Sequence, residues 1–188
     1  MRHLRLPFAL AAIFLISGLQ ARAQTFDSSS GSSEYLVKAG FIYNFAKLVE
    51  WPQNAFSNSA QPIVIGVLGN ESFAATLERA VDGKKVENHP ILVKRLRVPK
   101  DTKECGCHIL FLASGESAHA DEIIQLLNGT FVLTIGETPR FTRQGGIINL
   151  ILDDGKVRFE VNVDAAKQAN LNISSRLLSL AKIVQTSR

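Results

Sequence analysis

Cysteine is almost absent. Two occur in 188 residues, Cys105 and Cys107, one residue apart. They cannot staple distant parts of a fold, so stability must come from an apolar core, which a chain of this length can build. Histidine is nearly as scarce, with four in all. The sequence has no Gly-x-Ser-x-Gly elbow, no phosphate-binding glycine loop and no dinucleotide glycine pattern. It therefore lacks the usual frames for a serine nucleophile or a nucleotide phosphate. No internal repeat is found.

One long apolar run stands out, over residues 8–19, behind Arg2 and Arg5 and ahead of Ala21-Arg22-Ala23. Charged start, apolar middle and small-residue end form the pattern of a secretory signal, with cleavage expected after Ala23. The run is short for a membrane span, which needs about 20 apolar residues. No cysteine follows it to accept a lipid. Cleavage removes Arg2, Arg5 and Arg22 and no acid, so the net charge falls from +4 to +1. A nearly neutral protein has no general attraction for nucleic acid or anionic lipid. The remaining 165 of 188 residues suit one domain.

Residues 24–33 are serine-rich and poor in apolar side chains, which predicts a flexible lead-in to a domain over residues 34–188. A first helix is expected over 35–50, stopped by Trp51-Pro52. Its polar residues Lys38, Asn44, Lys47 and Glu50 scatter around the axis, so apolar residues cover more than one side. Such a helix is usually buried on several sides, the second cover being another subunit or a partner. Residues 63–68 form a continuous apolar, β-branched run, expected as a strand buried on both faces. Asn70 is positioned to cap a helix through Val81. Strands are expected over 91–98, 108–113 and 131–135, with a helix over 117–127 between the last two. A strand from Gly145-Gly146 to Leu152 then turns at Asp154-Gly155 into 156–162, where Val157, Phe159 and Val161 alternate with Arg158, Glu160 and Asn162. That is a β-hairpin with one solvated face. Asp164 is expected to cap a short helix. Ser174 or Ser175 is expected to cap a last one reaching Ile183 and Val184. Early strand–helix alternation and a late hairpin predict a single α/β domain with a mixed parallel/antiparallel sheet flanked by helices.

Few residues qualify for chemistry. His108 opens an apolar strand and reads as a satisfied near-core residue. His89 precedes Pro90 in a turn. His119, Asp121 and Glu122 are neighbours, but acids in a first helical turn suit the helix dipole and metal sites want three or four convergent ligands. No metal, no cofactor and no catalytic set is expected. Cys105-Gly106-Cys107 either forms a local disulfide, which export favours and the short spacing strains, or leaves Cys107 as a small buried residue. The aromatic residues Phe41, Tyr43, Phe45 and Trp51 are core or partner-surface candidates. Leu177 in the last helix and the arginines Arg158 and Arg176 are further candidates for an interface.

Several stretches together resemble a known family. Residues 35–47, YLVKAGFIYNFAK, lead into Glu50-Trp51-Pro52. Cys107-His108-Ile109-Leu110-Phe111 follows, then Leu133-Thr134-Ile135-Gly136-Glu137 and Gly145-Gly146-Ile147-Ile148-Asn149-Leu150. The end reads Val157-Arg158-Phe159-Glu160-Val161-Asn162, Ala165-Ala166 and Ile173-Ser174-Ser175-Arg176-Leu177-Leu178. Order and spacing resemble the YfiR-type periplasmic proteins. The resemblance implies a soluble periplasmic repressor, not an enzyme. It implies binding to the periplasmic region of an inner-membrane diguanylate cyclase, with an outer-membrane lipoprotein as antagonist and a homodimer as the working form. Some relatives form a disulfide in the late strands, where this chain has no cysteine. The alternative kept beside it is a periplasmic sensor of a small molecule.

Export predicts a mature N-terminus at Gln24. Mass spectrometry of protein recovered from its native compartment should give that terminus, and a full-length mass would contradict it.

Overall fold

The structure, a computed structural model, describes residues 28–185. The expected signal and its cleavage site lie outside the described residues. Helix α1 spans Ser28–Leu48, so it starts well before Tyr35. Residues 28–33, expected as part of the lead-in, are helical; residues 24–27 lie outside the described part. Once nucleated, a helix gains a hydrogen bond for each added residue, and serine is only a modest penalty. The helix ends at Leu48, because Val49–Glu50 form a short strand, β1, paired antiparallel with Asn172–Ile173 near the C-terminus.

Strand β2, Ile63–Leu68, is buried at all six positions, as a continuous apolar run requires. Asn70 caps α2, Glu71–Val81, its side-chain oxygen accepting the Phe73 N–H at 2.8 Å. A tight hairpin joins β3, Lys85–Val86, to β4, His89–Leu96. One turn of helix, α3 at Asp101–Glu104, precedes β5, Ile109–Leu112. The helix expected over 117–127 is divided into a 3-10 stretch, Ser114–His119, and α4, Ala120–Leu126. Strand β6, Leu133–Gly136, follows.

Strands β7, Ile148–Asp153, and β8, Lys156–Asn162, make the expected hairpin. Asp154 and Gly155 both have positive φ, 49° and 71°, the geometry of the tightest hairpin turn. Asn162, not Asp164, caps α5, Val163–Gln168, by accepting the Ala165 N–H at 2.9 Å. Strand β9 is Asn172–Ile173, the partner of β1. The last helix is a correction: α6 is one turn, Ser175–Leu178, capped by Ser174. Lys182–Val184 instead form β10, parallel to β8. A helix this short gains little by itself, whereas the open β8 edge offers hydrogen bonds to β-branched Ile183 and Val184.

The main sheet runs β10-β8-β7-β6-β5-β2-β4-β3. Strands β4, β2, β5, β6 and β7 pair in parallel, β7 with β8 antiparallel, so the mixed sheet is as expected. Alternate residues feed two cores. Ile109 and Phe111 join α1 and α2 on one face, while Leu110 and Leu112 meet Ala120, Ile123 and Phe141 on the other. The hairpin face expected in water is half covered. Arg158 is exposed, but Asn162 is wholly buried and donates to the Thr142 carbonyl at 2.7 Å.

Phe45 has no exposed surface and packs its ring 5.1 Å from Phe159. Phe45→Ala should lower unfolding free energy by about 3–5 kcal/mol in urea titration. Leu36→Ala, at a position 57% exposed, should change it by under about 0.5 kcal/mol.

Candidate functional site

The interface candidates divide on one question: which side of α1 faces the sheet. Ala39, Ile42, Phe45 and Ala46 are fully buried, at the spacing of one helical face. Phe45 therefore belongs to the core, and so does Leu177, at 2% exposure. Phe41 is half-buried, its ring 5.5 Å from Phe159. Tyr43 lies on the flank, with Lys84 4.8 Å and Lys47 5.5 Å from its ring centre. The outward side carries Leu36 and Val37, both exposed, with Asn44 and Lys47 below them. Near the C-terminus Leu180 and Ile183 are exposed as well. Arg158 is bound to Asp153 at 3.0 Å. Arg176 is exposed and makes no ion pair among the described residues.

Helix α1 is fastened by a charge as well as by apolar contact. Lys38, which sequence reasoning counted among scattered polar residues, is buried. Its ammonium lies 2.5 Å from Glu137 at the end of β6 and 2.5 Å from Glu34 one turn back. The second Glu137 oxygen accepts the Ser114 N–H at 2.9 Å. Burial pushes the Lys38 ammonium down, and hydrogen bonds to the two glutamates outweigh it, so its pKa lies above the ordinary lysine value. Only Glu34, at i−4, was visible as a partner in the sequence.

Trp51 stands at the mouth of a cleft of about 540 Å³ between the end of α1, the β3–β4 hairpin and residues 52–61. Its indole N–H donates to the Phe131 carbonyl at 3.0 Å. Phe56 is stacked between two imidazoles, 4.2 Å from His89 and 4.5 Å from His108. His89 Nδ1 lies 2.7 Å from the Gln61 carbonyl, which can only accept, so Nδ1 carries the hydrogen. His108 is buried; its Nδ1 accepts the Val64 N–H at 3.1 Å and its Nε2 faces the Ala55 carbonyl at 3.3 Å. Both imidazoles are thus engaged with backbone. His119 pairs with Glu116 at 2.8 Å on the surface. Among the described residues no group of three or more His, Cys, Asp or Glu is arranged to hold a metal ion.

Cys105 and Cys107 are joined in a disulfide, packed with Val64 and Leu96 beside the His108 strand. No helix among the described residues is long and apolar enough to cross a membrane.

Burial pushes the His108 pKa down, with the Ala55 carbonyl opposing and nearby His89 assisting. The folded pKa lies below the unfolded one, so neutral His108 stabilises the fold fully above about pH 6.5. That contribution is lost as pH falls through the folded value. Thermal melts should show stability declining below about pH 6.5, and His108→Asn should flatten that decline even if it lowers stability at neutral pH.

No curated protein matches this sequence. Several solved structures share the fold, among them the following two. A conserved domain protein from Vibrio cholerae O1 biovar El Tor is 14% identical, with TM-score 0.57, over 81% of this chain and 60% of that one. The ABC domain from Streptococcus pneumonia, solved in complex with L-Trp, is 10% identical, with TM-score 0.51, over 70% of this chain and 57% of that one. The chain thus spans about 60% of the length of the solved proteins it matches. A YfiR/HmsC-like family model matches residues 35–182, from the middle of α1 to the first residue of β10. By that match the chain belongs to the YfiR/HmsC-like family.

Proposed function

We propose that this protein binds the periplasmic region of an inner-membrane diguanylate cyclase and represses it. The observation that carries this reading is the family match over residues 35–182. Two features of the surface support it. Leu36 and Val37 on α1, and Leu180 and Ile183 near the C-terminus, expose apolar side chains that water does not favour. Arg176, exposed and without an ion-pair partner among the described residues, is a polar contact beside them in sequence.

Repression of this kind needs no catalytic group. A periplasmic binder changes a cytoplasmic active site only by preferring the inactive conformation of the spanning enzyme. A homodimer that covers the outward side of α1 around Phe41, and an outer-membrane lipoprotein that competes for the regulator, complete the proposal. A second reading, a sensor of a small periplasmic molecule, is favoured by the cleft beside Trp51 and Phe56.

Deleting the gene should raise intracellular cyclic di-GMP and adhesion wherever the cognate cyclase is expressed. Arg176→Glu should remain folded and reproduce part of that rise. Unchanged cyclic di-GMP on deletion would remove the repressor reading, and ligand-induced thermal shifts lost in Trp51→Ala would then favour the sensor.

A further inference from the structure

We propose that the cavity between the loop after β6 and the outer face of β7 is a binding site for an oxyanion, the carboxylate or phosphate of a small molecule. The cavity measures about 440 Å³ and is lined by Thr138, Arg140, Arg143, Asn149 and Ile151, with Glu160 at one side. It lies just past the C-terminal end of β6, the end of a parallel strand at which α/β sheets usually receive ligands.

Of the polar side chains that line the cavity, Arg140, Arg143 and Asn149 bring donors, Thr138 a hydroxyl, and Glu137 and Glu160 carboxylates. Thr138 is 4% exposed, and its hydroxyl is a buried side-chain oxygen without a partner among the described residues. Such a group carries a cost that a ligand can remove. Asn149 is 1% exposed, and its oxygen accepts the Thr138 N–H at 3.1 Å, which leaves its NH2 group as the side chain's donor. Arg140 and Arg143 are exposed and make no ion pair among the described residues. The acids nearby are already engaged. Glu137 holds Lys38 and the Ser114 N–H, and Glu160 holds Lys182 at 3.0 Å and the Thr142 hydroxyl at 3.3 Å. A hydroxyl, an amide and two guanidinium groups match an acceptor-rich anion, and arginine suits planar or tetrahedral oxyanions in particular.

The loop is built to hold these groups still. Phe141 is 1% exposed and fills the space beside Gly136 and Gly146; a Cβ on Gly146 would come within 2.2 Å of its ring. Arg140 has φ of 72°, a left-handed conformation uncommon outside glycine. Its carbonyl accepts the Arg143 N–H at 2.8 Å and the Gln144 N–H at 3.0 Å, which fixes the turn carrying both arginines.

Titration calorimetry on the purified exported chain tests the site, with inorganic phosphate and succinate as the two probes. At least one should bind saturably with one-to-one stoichiometry, weaken with added salt and raise the melting temperature. The probe that binds separates a phosphate ligand from a carboxylate one. R140Q/R143Q should lose at least about tenfold in affinity, and Thr138→Val, which keeps shape and removes the hydroxyl, several-fold. R79Q, an exposed arginine on α2 away from the cavity, should leave binding unchanged. The proposal is overturned if neither probe binds below about 10 mM, or if R140Q/R143Q binds as tightly as R79Q. Because binding is read on the isolated protein, either outcome leaves the cyclase reading untouched.

Discussion

The fold depends on how α1 is docked across the sheet. At its start Tyr35 meets Phe73 of α2 with ring centres 5.5 Å apart and accepts a hydrogen bond from Asn70 at 2.8 Å. In the middle Lys38 reaches Glu137 at the end of β6. Further along, Phe41 and Phe45 pack on Phe159 of the antiparallel hairpin. At its end β1 pairs with β9. One helix therefore ties the parallel half of the sheet to the antiparallel half. The aromatic contacts supply most of the favourable burial. The ion pair adds orientation: with both charges buried, a slid or rotated helix would leave one of them unpaired, at a cost of several kcal/mol.

Much of this arrangement was legible in the sequence, for definite reasons. Strands β2 and β5 are buried on both faces and appear as unbroken apolar runs, since every position must be apolar. The β7–β8 hairpin appears because Asp154-Gly155 supplies the two positive φ angles its turn needs. Strand β10 was hidden. Leu177, Leu178, Leu180 and Ile183 have helical spacing, and the strand forms only because β8 offers an edge from a distant part of the chain. The apolar character of α1 announced burial but not its direction, so Phe45 and Phe41 looked equivalent although one is core and the other half-buried. The buried state of Lys38 depends on Glu137, 99 residues away, and no local pattern carries that information. The cavity around Thr138 is hidden for the same reason, since Asn149 makes it and belongs to another strand.

For function, the consequence is a division of labour. The side of α1 that holds the fold together is unavailable to a partner. What remains outward is Leu36, Val37 and the exposed apolar residues near the C-terminus. The disulfide and the stacked imidazoles lie beside the start of β5.

Purification of the tagged protein from detergent-solubilised membranes measures the proposed direct binding to the cyclase's periplasmic region. The cyclase should co-purify with the wild-type chain and be much reduced with Leu36→Asp or Arg176→Glu variants that remain folded. Recovery of the regulator free of the cyclase, from cells in which both are expressed, would contradict it.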